Sequence, residues 1–69
     1  MNIKQIFANN VKYYREKKQL TQQDLAEITG LNRVYISNVE RAKRNITIDI
    51  MEKLSNGLDV ELKKLLTKK

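Results

Sequence analysis

TQQDLAEITGLNRVYISNVER, residues 21–41, decides the reading of this 69-residue chain. Two short helical patterns meet at Gly30. Leu25, Ala26, Leu31, Ile36 and Val39 fall at the spacings that press two helices together across a tight turn. Asn32, Arg33, Tyr35, Ser37, Asn38 and Arg41 are thereby left on the free face of the second helix. A helix braced from behind in this way can be pushed into the major groove of DNA.

Local signals punctuate the same stretch. Thr21 is placed to cap the first helix by accepting a hydrogen bond from the backbone amide of Asp24, whose carboxylate lies near the positive end of the helix dipole. Gly30 supplies the left-handed backbone that closes it. Asn32 is the corresponding cap of the second helix, which runs to Glu40 or Arg41; residues 42–46 then form a basic connection without apolar periodicity.

Working outward, Ile3, Ile6, Phe7, Val11 and Tyr14 recur at three- and four-residue intervals, so residues 2–18 read as an amphipathic helix with Lys4, Lys12 and Lys17 toward water. Downstream, Thr47 caps a helix with Ile50, Met51 and Leu54 on its inner face and Gly57 just beyond its end, and Asp59 starts a short last helix. Val60, Leu62, Leu65 and Leu66 give that end more apolar surface than one small core needs, which points to a partner chain. Lys68 and Lys69 read as a frayed tail. Ile46, Ile48 and Ile50 alternate with polar residues as a strand would, but an isolated strand has no neighbour to satisfy its backbone. The expected fold is all-α: one compact five-helix domain over residues 1–69, with dimerisation helices at 47–67.

A chain of this length buries only about 60% of the surface its unfolded form exposes, so its stability is expected to be modest. It has no cysteine and no histidine. Disulfides and the usual zinc ligands are therefore missing, no cofactor or metal is expected, and the natural supplements are a second subunit or a bound polymer. Fourteen Lys and Arg against eight Asp and Glu leave a net charge of +6, which attracts phosphate-bearing partners if it clusters on one face. There is no apolar run long enough for a membrane span and no start resembling a secretion signal, so a cytoplasmic protein is expected.

Leu20, Thr21, Gln22, Gln23, Asp24, Leu25, Ala26 and Glu27, then Thr29, Gly30 and Leu31, then Tyr35, Ile36, Ser37, Asn38, Val39, Glu40 and Arg41 resemble the helix-turn-helix of the Cro and phage-repressor family. The likeness runs over about residues 11–66. Within that family, Asn32, Arg33, Val34, Tyr35, Ile36 and Ser37, followed by Glu40, Arg41, Arg44 and Asn45, are similar to the controller proteins of restriction-modification systems. The resemblance implies a repressor-like DNA-binding fold, activation or repression of an operon that includes a restriction endonuclease gene, and an Arg15–Glu40 ion pair between the first and third helices. It also implies base contacts as well as phosphate contacts at Arg44.

The third helix has its own physical reading. Arg33 lies in the first turn, where its donor fork reaches the two acceptors of a guanine, a contact worth roughly 1–3 kcal/mol of discrimination. Ser37 and Asn38 can bond base edges or phosphates; Tyr35 can pack on a thymine methyl or bond a backbone oxygen. Gln22 and Gln23 open the second helix, whose free amides with these side chains can clamp a phosphate. Arg41, Lys43, Arg44 and Asn45 extend the basic surface, and Val34 completes the candidate contact set. The plainer reading of each is a solvated helix surface, and for Tyr35 a partly buried ring.

The expected partner is double-stranded DNA with a near-palindromic operator. Association as a homodimer is expected through Ile48, Met51, Leu58, Val60, Leu62 and Leu65, with Asp24 and Glu27 as a contact for RNA polymerase. Asp24 and Glu27 have no cleft, nucleophile or metal beside them, so an enzyme is not expected. The motif Asn45-Ile46-Thr47 fits a glycosylation site only by coincidence without a secretory route. Competing readings are an antitoxin or phage repressor of the same fold, set against which the chain lacks a second domain for a toxin or inducer. From other classes come a membrane-surface protein built on the Lys-rich end and a single-stranded RNA binder.

Overall fold

The structure, a computed structural model, describes residues 2–68. Five helices follow in order: α1 Ile3–Lys17, α2 Gln22–Thr29, α3 Arg33–Glu40, α4 Ile48–Leu58 and α5 Leu62–Leu65. No strand occurs among the described residues, and Lys69, expected to fray, lies outside them. Lys68 is exposed.

The cap residues set the boundaries. Asn2, Thr21, Asn32 and Thr47 accept hydrogen bonds from the backbone amides of Gln5, Asp24, Tyr35 and Ile50. At α2 the bond is reciprocated, since the Asp24 carboxylate accepts from the Thr21 amide at 2.9 Å. Gly30 takes φ +77° and ends α2. The other C-termini use no glycine. Gln19, Ala42 and Asp59 adopt φ between 56° and 60°, and in each case the next amide reaches back to the carbonyl five residues earlier. That closes the helix and satisfies its last carbonyls at the cost of a strained backbone angle.

Phe7, Val11, Leu25, Ala26, Ile36, Val39, Leu54, Leu58 and Leu65 form one core. α1 packs on α3, α4 and α5, while α2 packs on α3 and α4. The core thus lies behind α3, and its outer face stays open.

Several expectations need correction. Gly57 does not follow α4 but sits in its last turn, and Asp59 takes the left-handed position beyond it. The reason is close packing: a Cβ at position 57 would lie 2.7 Å from Thr29 Cγ2 and 3.3 Å from Ile28 Cγ2. Asp59 therefore terminates α4 rather than starting α5, which begins at Leu62 behind the Glu61 cap position. Leu58 and Leu65 have no exposed surface and belong to the core, so neither is available to a dimer face. Ile3, counted on the inner face of α1, is 56% exposed because it precedes the reach of the core. Lys4 does not simply face water but is half-buried, donating to Asn45 Oδ1 at 3.5 Å.

Gly57→Ala tests the approach of α4 to α2. Thr29 cannot yield easily, because its hydroxyl donates to the carbonyls of Leu25 and Ala26. We expect a loss of about 1–3 kcal/mol in thermal unfolding despite alanine's higher helix propensity. A rise in Tm would contradict the tight packing.

Candidate nucleic-acid interface

α3 is held by its inner residues and displays its outer ones. Ile36 and Val39 are fully buried, whereas Arg33 is exposed and Val34 is 63% exposed. Asn32 has a structural task first: its Oδ1 accepts the Tyr35 amide at 2.7 Å, starting the helix where Arg33 follows. Ser37 and Asn38 are half-buried on the flank, and Arg41, Lys43, Arg44 and Asn45 are exposed beyond the C-terminus.

Asn32, Arg33, Val34, Tyr35, Asn38 and Arg44 line one shallow depression of about 340 Å³. The turn at Ala42 folds the chain back so that the Arg44 guanidinium lies 4.7 Å from the centre of the Tyr35 ring. Tyr35 is half-buried against the core, so it forms a fixed platform that limits where Arg44 can point. The sequence alone indicated neither this stack nor the shared depression. Ser37, Arg41, Lys43 and Asn45 lie outside the group lining it.

Gln22 and Gln23 are engaged differently from expectation. Gln22 Nε2 donates to Glu40 Oε1 at 3.1 Å, and Gln23 Nε2 donates to Glu27 Oε2 at 3.0 Å. Gln22 thus joins the ion pair beneath α3. Arg15 Nε and Nη2 donate to Glu40 Oε2 and Oε1 at 2.6 and 3.0 Å, and Nη1 donates to the Leu20 carbonyl at 2.7 Å. Side-chain exposure is only 10% for Arg15 and 3% for Glu40. The Glu40 hydrogen bond raises the Arg15 pKa above its ordinary value, so the guanidinium keeps its charge throughout the physiological range. One network therefore joins α1, the turn before α2, the first turn of α2 and the end of α3. It sets the angle at which α3 is presented.

Other chemistries find little here. Among the described residues no group of three or more His, Cys, Asp and Glu could hold a metal ion, and no helix is long and apolar enough to cross a membrane.

A helix-turn-helix family model matches residues 11–65. The control protein C.SmaI of Serratia marcescens is 47% identical over 68 residues, covering 99% of this chain and 81% of that protein. The restriction-modification controller protein C.AhdI from Aeromonas hydrophila superposes with a TM-score of 0.86 at 35% identity, covering 90% of this chain and 94% of that one. A tetramer of the controller C.Esp1396I in complex with its natural 35 base-pair operator gives a TM-score of 0.84 at 33% identity, with 97% and 99% covered. These relatives are regulators, not enzymes. The chain belongs to the helix-turn-helix family and, within it, to the control proteins of restriction-modification systems.

Proposed function

We propose that the protein is a sequence-specific, double-stranded DNA-binding transcriptional regulator that acts as a symmetric dimer on the operon of a restriction-modification system. The observation that carries this is the single depression in which Arg33, Val34, Asn38 and Arg44 meet on an exposed helix backed by fully buried Ile36 and Val39. The B-DNA major groove, about 12 Å wide, admits such a helix. Arg33 then reads guanine through its donor fork, and the Val34 methyls suit a thymine methyl. Arg44, steadied on Tyr35, approaches a base or the adjacent phosphate. Ser37 and Asn38 bond base edges or backbone, while Arg41, Lys43 and Asn45 hold the phosphates. Gln22 and Gln23 flank the amides of the first turn of α2, where a phosphate would dock.

The dimer face is proposed on α4 and α5. Ile48 is 74% exposed, and Met51, Val60 and Leu62 are half-buried. Beside them an apolar groove of about 200 Å³ is lined by Ile3, Lys4, Asn45, Ile46, Met51 and Leu66. Met51 lines it and the exposed Ile48 precedes Met51 by three positions on α4, which supports a second copy covering this side. Two recognition helices would enter successive major grooves about 34 Å apart. The test is sedimentation together with hydroxyl-radical footprinting on a site selected from random DNA. A dimer protecting two half-sites one helical turn apart is expected; a monomer both free and on DNA overturns the symmetric reading.

Activation would need a surface for RNA polymerase, and Glu27 is the better candidate of the acidic pair. The Asp24 carboxylate is committed to the α2 cap, whereas Glu27 is exposed. Glu27→Ala is expected to leave operator affinity unchanged and to lower activated transcription in vitro. Full activation by this variant removes the polymerase contact from the proposal.

A further inference from the structure

α5 has only four residues, and its N-cap position, Glu61, makes no side-chain cap hydrogen bond. A helix this short has no stability of its own, since nucleation costs more than so few bonds return. Its place must be fixed from outside. One anchor is Leu65, fully buried in the core. The other is Asn10 of α1, only 2% exposed, whose Nδ2 donates to the carbonyls of Lys64, Leu65 and Thr67 at 3.2, 2.9 and 3.0 Å. The first two carbonyls belong to the end of α5 and the third to Thr67 just beyond its C-cap, where no further turn follows to satisfy them. A single side-chain amide from α1 thus closes the C-terminus of α5 from within the protein.

The neighbours of Leu65 on this segment are Val60, Leu62 and Leu66, all half-buried and directed partly outward. Leu65, with Val60, Leu62 and Leu66 packed partly against the core, holds the side of α5 but leaves the carbonyls at its C-terminal end without helical partners. The two N–H groups of the Asn10 amide, shared among the three carbonyls, fix that end in place. We infer that Asn10 is a positioning residue for subunit assembly: by fixing the C-terminal end of α5 it sets the register of the apolar face offered to a second copy of the chain. The inference rests on the dimer reading above. It does not involve the DNA surface, because α5 does not line the α3 depression.

Asn10→Asp keeps the shape of the side chain and replaces the donor with an acceptor facing three carbonyls. Asn10→Ser keeps one donor and is the milder variant. Three measurements are made on wild type and both variants: sedimentation equilibrium, amide hydrogen exchange, and affinity for a single half-site and for the complete two-half-site operator. For Asn10→Asp, dimerisation is expected to weaken about tenfold and affinity for the complete operator to fall with it. Half-site affinity should stay at the wild-type value, and faster exchange should be confined to residues 62–67. Asn10→Ser should fall between the two. Undiminished dimerisation with unchanged α5 exchange in Asn10→Asp overturns the inference. So does faster exchange throughout the chain with loss of half-site binding in both variants, which would make Asn10 an ordinary core residue. If the wild type itself never dimerises, the dimer reading fails first, and that result is visible without any variant.

Discussion

Arg15→Ala is expected to lower stability by about 3–5 kcal/mol, close to the whole stability available to so small a domain. The loss arises from what remains. Glu40 is 97% withdrawn from solvent by its 3% side-chain exposure, and without Arg15 its charge keeps only the Gln22 amide. The Leu20 carbonyl loses its partner as well. For a chain of this size each kcal/mol moves Tm by roughly 4–8 °C, so a fall of at least about 12 °C should appear in circular dichroism melts. Arg15→Met combined with Glu40→Leu should recover much of the loss, because a desolvated ion pair is often replaceable by apolar groups of similar volume. The double variant separates the cost of a stranded charge from the worth of the pair. A loss below about 1 kcal/mol for Arg15→Ala would mean that the pair behaves as an exposed surface bridge.

The second large effect concerns specificity. Arg33→Ala should narrow the gap between operator and random DNA by roughly 5- to 150-fold, corresponding to the 1–3 kcal/mol of a bidentate base contact. Its fold should be untouched, since Arg33 is exposed and the helix cap is made by Asn32. Lys43→Ala provides the contrast. Lys43 is also exposed but lies beyond α3, outside the depression, where phosphate contact is the natural role. Its loss should weaken both DNAs alike and reduce the slope of affinity against salt by about one. Equal losses on operator and random DNA for Arg33→Ala would reassign it to the phosphates.

Much of this architecture was legible in the chain because the decisive signals are local. Thr21, Asn32 and Thr47 each mark a helix start through their own side-chain oxygen, and Gly30 marks a stop through its own backbone freedom. The Arg15–Glu40 pair followed from family likeness, and the structure gives its geometry. What escaped depends on contacts between distant segments. Gly57 looked like a helix terminator because its neighbour across the interface, Thr29, cannot be seen in sequence. The stops at Gln19, Ala42 and Asp59 carry no glycine, and the left-handed angle there accompanies backbone hydrogen bonds to the carbonyls of Arg15, Asn38 and Ser55 that residue type does not announce. Leu58 and Leu65 share helical spacing with half-buried Leu62, and only the three-dimensional arrangement separates core from face.

At the candidate site the exposed residues of α3 were readable from periodicity, whereas partnerships were not. Gln22 was expected at a phosphate; its amide is instead shared with Glu40. Arg44 was expected to extend the basic surface toward DNA, and its stacking on Tyr35, nine positions earlier in the chain, was not foreseen. Asn10, a polar residue on the buried side of α1, gave no signal at all until its three carbonyl partners were in view.

The central claim is that the outer face of α3, through Arg33, reads guanine in the major groove. Methylation interference on the selected operator addresses it directly, because methylation at guanine N7 blocks one of the two acceptors such an arginine uses. The predicted result is that N7-methylguanine in each half-site abolishes binding by the wild type and no longer matters at that position for Arg33→Ala. Binding by the wild type that is indifferent to N7 methylation throughout the operator would contradict it.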